Sequence, residues 1–274
     1  MPYRTIDARK LTPHVGAEIG GIDLTQPLSD QQAEDLHTAL MENLVIFFRD
    51  QNLTVDQHVS LGRRFGELTV HPASRDSAPG HPEVMVVRAD ESSRWVAGEH
   101  WHSDVSCSGE PPMGSLLHLH QVPAVGGDTL FASMYAVYES LSEPVRRMLD
   151  GLTAVHDGAH YYVGRYESGD RATAYPRAEH PVVCTHPVTG RRYVFVNRTF
   201  TTRITQLTRA ESDAVLEMLY RQVETPEFQC RFTWRPGSLA FWDNRCVQHQ
   251  AVWDYFPERR YGHRITVKGE RPRA

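Results

Sequence analysis

Several kinds of segment are missing from this 274-residue chain. No stretch approaches the roughly 20 consecutive apolar residues that a membrane helix needs. The apolar run LVIFF at 44–48 is the size of a strand. The first ten residues, MPYRTIDARK, hold no apolar signal region, so the expected location is cytoplasmic. The 4 cysteines lie far apart with no CxxC pair, which argues against a disulfide frame or a zinc finger and for reduced thiols packed as small hydrophobes. GxGxxG, GxxxxGK[ST] and GxSxG are all absent, and with them the usual signals of dinucleotide, P-loop and serine-hydrolase chemistry. There is no repeat, low-complexity tract or Ser/Gly-rich linker, so residues 1–274 read as a single domain. Net positive charge is lacking too. At −5 the chain has no general nucleic-acid surface, yet basic residues gather in ERRYGHRITVKGERPR at 258–273. Composition alone leaves two readings of this stretch, a solvated basic tail or a basic pocket that would take a small organic anion as partner.

What is present is mostly β. VMVV, SLLHLH, DTLFA, RYVFV, QCRFTW, SLAFW and RITVK are short, β-rich and bounded by turn residues. Helices are fewer. Ser29 with Gln32, Thr54 with Gln57 and Thr208 with Glu211 form capping-box pairs ahead of apolar residues at helical spacing, and SEPVRRMLDGL carries a proline in its first turn. The strands do not alternate regularly with helices, which favours an antiparallel barrel or jelly roll with flanking helices over a doubly wound sheet.

Chemistry concentrates in EHWHSDVSC at 99–107. His102 and Asp104 are two residues apart, and in extended backbone such side chains project to one side. An imidazole and a carboxylate together suit Fe(II), Mn(II) or Zn(II). His249, after the strand-like SLAFW, is the best third ligand, and two His with one carboxylate leave three open positions on the metal. The competing pattern is a zinc hydrolase built on an HxH pair, either His100 with His102 or His118 with His120. His118, His120, His156 and His160 read as structural or surface residues, and His100 as a neighbour of the metal. Trp101, Trp242 and Phe241 read first as core aromatics and second as residues packed around the ligands, and Cys107 as a packing thiol.

WHSDVS (101–106), VGGDTLFAS (125–133) and FWDNRCVQHQAVWDYFPERRYGHRITVKG (241–269) occur in that order. Together they resemble the TauD/TfdA family of Fe(II)- and 2-oxoglutarate-dependent dioxygenases, and the likeness extends to GAEIGGIDL, RFGELTVHP and FVNRTFTTRI. The resemblance implies a double-stranded β-helix, mainly β with flanking helices. It implies Fe(II) on His102, Asp104 and His249, with 2-oxoglutarate and O2 as co-substrates. Thr129 and Arg260 would hold the distal carboxylate of 2-oxoglutarate, a role suited to a hydroxyl beside a planar guanidinium. Arg264, His71 and Phe200 match positions that line the substrate pocket, with Arg264 meeting an anionic group.

Other pocket positions depart from the family's namesake enzyme. Ser74 replaces a tyrosine, Gly98 an asparagine and Tyr162 a phenylalanine. The smaller residues at 74 and 98 leave room for a larger or less polar substrate than taurine. The implied reaction hydroxylates a small organic anion (a sulfonate, an alkyl sulfate or an aryloxy or alkyl carboxylate) with release of succinate and CO2. The unstable product would then split a C–S or C–O bond. Desaturation is an alternative outcome on the same ligands. Relatives are commonly dimers or tetramers, so a homo-oligomer is expected, with no nucleic-acid or membrane partner.

Overall fold

The structure is a computed structural model and describes residues 3–74, 76–165 and 175–274. Its framework is a 9-stranded sheet. The strands Asp7–Lys10, Ala17–Gly20, Val45–Phe48, Ser238–Asp243, Gly114–Gln121, Arg260–Val267, His81–Ala89 and Ser77–Ala78 follow one another across it, and Leu68–Thr69 pairs beside Arg260–Val267. A 3-stranded sheet of Gln229–Phe232, Thr129–Ser133 and Val247–Ala251 packs over one face. This is the expected jelly-roll arrangement. Among the described residues, pairing is antiparallel except where Ala17–Gly20 meets Val45–Phe48.

Side-chain alternation explains why LVIFF is apolar throughout. Val45 and Phe47 face the smaller sheet, where Phe47 stacks on Phe232 with centroids 3.9 Å apart. Ile46 and Phe48 face the other way, onto the helices Asp30–Asn43 and Val55–Arg63. A strand covered on both faces has no polar side to show. Each such side chain contributes roughly 1.5–3 kcal/mol through burial. The same alternation places Trp242 inward and Phe241 outward, against Phe65 at 4.8 Å. Phe241 is therefore a core aromatic, the first of its two sequence readings, and is not among the aromatics around the expected ligands, because only one face of its strand looks that way.

All three capping boxes form. The first helix stops one residue sooner than its leucine spacing suggests: Leu44 has φ 67° and turns the chain into Val45–Phe48. Helix Val55–Arg63 lies close on the sheet because a Cβ at Gly62 would meet Ile265 Cδ1 at 2.4 Å. RYVFV pairs as a strand only over Arg192–Val194. His156 and His160 do not share a helix, since His156 is on strand Thr153–Asp157 and His160 on the short helix Ala159–Tyr162.

Beneath helix Val55–Arg63, His118, His120 and His263 project from the outer face of the large sheet toward His58. The ring centroids of His58 and His118 are 5.9 Å apart, those of His118 and His120 4.4 Å, and those of His120 and His263 4.8 Å. Burial pushes all four imidazoles down, His58 well below the usual range and His118 to about 4. A folded state that refuses protons which the unfolded chain accepts is fully stable only above the unfolded pKa near 6.5. It loses stability as the pH falls below that value. Chemical denaturation of the metal-free protein should therefore give an unfolding free energy that drops between pH 7 and pH 5. His58→Leu should flatten that slope, by up to about 1.4 kcal/mol per pH unit. Identical slopes in parent and variant would contradict this account.

Candidate active site

An isolated antiparallel bridge joins residue 102 to residue 249. The His102 N–H donates to the His249 carbonyl at 3.1 Å, and the His249 N–H to that of His102 at 2.9 Å. The bridge brings the two imidazoles side by side, centroids 4.1 Å apart, with Trp242 at 4.6 Å from His249. Asp104 follows in a turn rather than in extended backbone, and Val105 next to it has φ 49°. Left-handed backbone at a β-branched residue is strained and persists only when its surroundings enforce it. The turn brings Asp104 Oδ1 to 3.6 Å from His102 Nε2 and 4.0 Å from His249 Nε2. All three residues are buried, and their donor atoms lie within 4.8 Å of one another. One divalent ion can bridge such a span.

Protonation suits a cation. His102 Nδ1 donates to the His100 carbonyl at 2.7 Å, so its Nε2 keeps the lone pair. Burial, with His102 and Arg264 nearby, holds His249 well below the usual histidine range and therefore neutral. Burial alone would raise Asp104, but the adjacent Arg264 charge outweighs it and holds the carboxyl well below its ordinary range. Asp104 Oδ2 accepts from Ser115 Oγ at 2.7 Å.

Strand Arg260–Val267 contributes two buried arginines four residues apart, on the face that looks into the site. Arg264 Nη1 donates to Asp104 Oδ1 at 2.6 Å. Arg260 has no carboxylate within 4.0 Å among the described residues, and its buried Nε has no partner. Burial pushes its guanidinium pKa down. Thr129 Oγ1 accepts from Trp234 Nε1 at 2.9 Å and from Arg260 Nη2 at 3.4 Å. With both acceptor positions used, the Thr129 proton is left to donate. A cation with spare donors beside a hydroxyl with a spare proton is complementary to a carboxylate.

His71 Nδ1 accepts from the backbone N–H groups of Ala73 at 3.2 Å and Ser74 at 2.9 Å, so the neutral ring carries its proton on Nε2. Burial and the Arg264 charge push His71 down to about 3. Tyr162 stands 5.7 Å from His71 and 5.4 Å from Phe200, in an aromatic cluster with Val105 and Cys107. Gly98 has φ 83°, and a Cβ there would lie 3.0 Å from His102 Cε1 and 3.6 Å from Nε2. Glycine thus keeps open the space beside the nitrogen that faces the cluster. A cleft of about 670 Å³ flanks these residues, lined by Ser74, Met85, Arg88, Trp95 and Ala97 among others.

The chain matches the family described as "Taurine catabolism dioxygenase TauD, TfdA family" over residues 7–266. It belongs to the TauD/TfdA family. It is similar to the alpha-ketoglutarate-dependent sulfonate dioxygenase of Saccharomyces cerevisiae, 35% identical over 97% of this chain and 68% of that one. An alkylsulfatase of Acinetobacter baylyi is 32% identical over 98% of this chain and 87% of that one. The crystal structure of a taurine dioxygenase from Burkholderia xenovorans superposes with a TM-score of 0.86 and 36% identity, covering 98% of this chain and 91% of that one. Membership makes this chain a 2-oxoglutarate-dependent non-haem iron dioxygenase, with Fe(II), 2-oxoglutarate and O2 as its requirements.

The family's chemistry leaves no role for a zinc site on an HxH pair. Among the described residues, neither His100 with His102 nor His118 with His120 completes a three-donor cluster. His100 is exposed, and His118 Nε2 is bonded to the Gln51 carbonyl at 2.6 Å. A second cluster, His186 with Asp243 and Cys246, is an ion pair. Arg245 holds both oxygens of Asp243, at 2.8 and 2.5 Å, while His186 Nδ1 accepts two backbone N–H groups. Ser115 and Asn244, which meet around Asp104, escaped the sequence reading. The one available signal was a polar residue placed inside or just after an apolar strand.

Arg260 carries a buried charge with no carboxylate in ion-pair contact among the described residues, so Arg260→Met should not destabilise the ligand-free protein and should raise its unfolding free energy by about 1 kcal/mol. Urea denaturation without added ligands checks this. A loss of more than about 2 kcal/mol would mean that the guanidinium has a structural partner.

Proposed function

We propose that the chain hydroxylates a small organic anion carrying a sulfonate, an alkyl sulfate or an aryloxy or alkyl carboxylate, on the carbon beside the heteroatom. In this reading His102 Nε2, Asp104 Oδ1 and His249 Nε2 hold Fe(II). Thr129 and Arg260 hold the distal carboxylate of 2-oxoglutarate. Arg264, His71, Phe200, Tyr162, Gly98 and Ser74 form the substrate end. The observation that carries it is the pair of buried arginines on one strand face, one against the three-donor cluster and one with no carboxylate near it. Arg260 has a place for one anion, and Arg264, paired with Asp104 through Nη1, keeps an unpartnered Nε for a second.

When bound, iron and 2-oxoglutarate supply the activation of O2, and 2-oxoglutarate leaves as succinate and CO2. The protein's residues do the rest. Arg260 and Thr129 orient the co-substrate through charge-assisted hydrogen bonds. Arg264 and the His71 Nε2–H fix the anionic head of the substrate, which sets the carbon presented to the metal. His71 stays neutral at assay pH, so it is a hydrogen-bond donor and not a proton carrier. Tyr162 and Phe200 wall the site with apolar surface that excludes water. The hydroxylated product places a hydroxyl on the carbon bearing the sulfur or oxygen. Its C–S or C–O bond breaks to give a carbonyl compound and a released anion, the hydroxyl proton leaving with that anion. The open space at Gly98 and Ser74 and the cleft beside them support a substrate body larger than taurine's.

A single domain is supported by the family match over 7–266. A reducing, cytoplasmic setting is supported by the 4 buried free cysteines, and the net charge of −5 supports the absence of a nucleic-acid partner. A homo-oligomer, dimer or tetramer, and the absence of a membrane partner belong to the same reading.

The test is succinate formation with Fe(II), ascorbate and 2-oxoglutarate against a panel of sulfonates, alkyl sulfates and aryloxyalkanoates. At least one member should stimulate succinate release and appear as its carbonyl product. Arg260→Met should lower kcat/KM for 2-oxoglutarate by at least about 100-fold. No stimulation by any member with iron loaded would sink the substrate class, and an alkene product would replace hydroxylation with desaturation.

A further inference from the structure

Asp104 is held by a buried hydrogen-bond chain whose direction is fixed from its far end. Trp242 Nε1 donates to Asn244 Oδ1 at 2.8 Å, and an indole N–H can only donate. That contact fixes the orientation of the Asn244 amide. Its Oδ1 also accepts from the Asp104 backbone N–H at 3.3 Å, and its Nδ2 donates to Ser115 Oγ at 2.8 Å. Ser115 has a single proton, and with its oxygen accepting from Asn244 that proton goes to Asp104 Oδ2 at 2.7 Å. Trp242, Asn244, Ser115 and Asp104 are all at least 98% buried, so water cannot substitute for any link. Backbone contacts anchor the chain as well, with the Asn244 N–H donating to the Met113 carbonyl at 2.9 Å.

We propose that Ser115 and Asn244 are positioning residues that keep Asp104 bound to the metal through one oxygen only. The proposal rests on the reading of His102, Asp104 and His249 as the metal ligands. Oδ2 is engaged by Ser115, and Oδ1, which also accepts from Arg264 Nη1 at 2.6 Å, lies 3.6 and 4.0 Å from the two Nε2 atoms. A carboxylate free to rotate can chelate through both oxygens and take a second coordination position. Two histidines and one singly bound carboxylate leave three positions on an octahedral ion, and 2-oxoglutarate needs two of them. A doubly bound Asp104 would compete directly with the co-substrate. The chain of hydrogen bonds therefore protects co-substrate affinity in addition to holding the ligand. Metal ligands are commonly oriented by such outer partners, whose loss costs about 10- to 100-fold in affinity or activity.

Two variants of the full-length protein test this. Ser115→Ala removes the proton given to Oδ2. Asn244→Asp keeps the size but replaces the donating amide with a second carboxylate, which then competes for the Ser115 proton. The probe is Mn(II), which is silent in turnover, followed by 2-oxoglutarate titrated calorimetrically into Mn(II)-saturated protein. Thermal unfolding of the same samples confirms a cooperative fold. We expect both variants to bind 2-oxoglutarate about 10- to 100-fold more weakly than the parent at saturating Mn(II). Parent and variants agreeing within twofold would overturn the positioning role while leaving the metal site intact. If the parent itself takes up no Mn(II), or if His102→Ala binds it equally well, the metal reading fails first and takes this proposal with it.

Discussion

The site depends on one backbone contact, the bridge between residues 102 and 249. The chain at 102 belongs to no named strand, yet two N–H to carbonyl bonds tie it to the edge of Val247–Ala251. Without that pairing the two imidazoles would sit on separate elements, 147 residues apart in sequence. The small sheet holds His249, the large sheet holds Arg260, Arg264 and Ser115, and the loop carrying Asp104 lies against both. The jelly roll therefore delivers donors from two sheets to one point between them. Rigid strands place such groups more accurately than loops do.

The electrostatics follow from where the charges are buried. Asp104 has Arg264 and two imidazoles around it and stays ionised despite its burial. Arg260 is buried beside Trp234 and Thr129 with no carboxylate within 4.0 Å among the described residues. An unpaired buried charge costs free energy in a resting protein and is tolerated where a ligand supplies the missing counter-charge. The same reasoning separates the two three-donor clusters. At His186, Asp243 and Cys246 the internal cation Arg245 has already taken the carboxylate. At His102, Asp104 and His249 the cation Arg264 meets only one oxygen of Asp104, through Nη1 at 2.6 Å, whereas Arg245 holds both oxygens of Asp243.

Much of this was legible in the sequence, for identifiable reasons. Helix starts were readable because capping boxes are local, and all three form between residues three apart. The three-donor cluster and the buried arginines could be sought in the sequence because the WHSD, GGDT and QH…RR segments each carry a specific pattern, and the fold brings His102, Asp104 and His249 together. Contacts between distant strands were harder. Nothing in SLLHLH says that Ser115 meets Asp104, or that His118 lies under His58, because both follow from strand register. Phe241 and Trp242 look equivalent in one dimension, and only the sheet's two faces separate them. The contact of Gly98 with the Cε1–Nε2 edge of His102 needed the fold.

The central claim is that one pocket binds a metal through His102, Asp104 and His249 and a 2-oxoglutarate carboxylate through Arg260 and Thr129. A crystal structure of the protein grown with Mn(II) and N-oxalylglycine tests it most directly. The account predicts metal density bonded to His102 Nε2, Asp104 Oδ1 and His249 Nε2, with a carboxylate of the analogue on Arg260. Metal at His186, Asp243 and Cys246 instead, or an analogue seated away from Arg260, would contradict it.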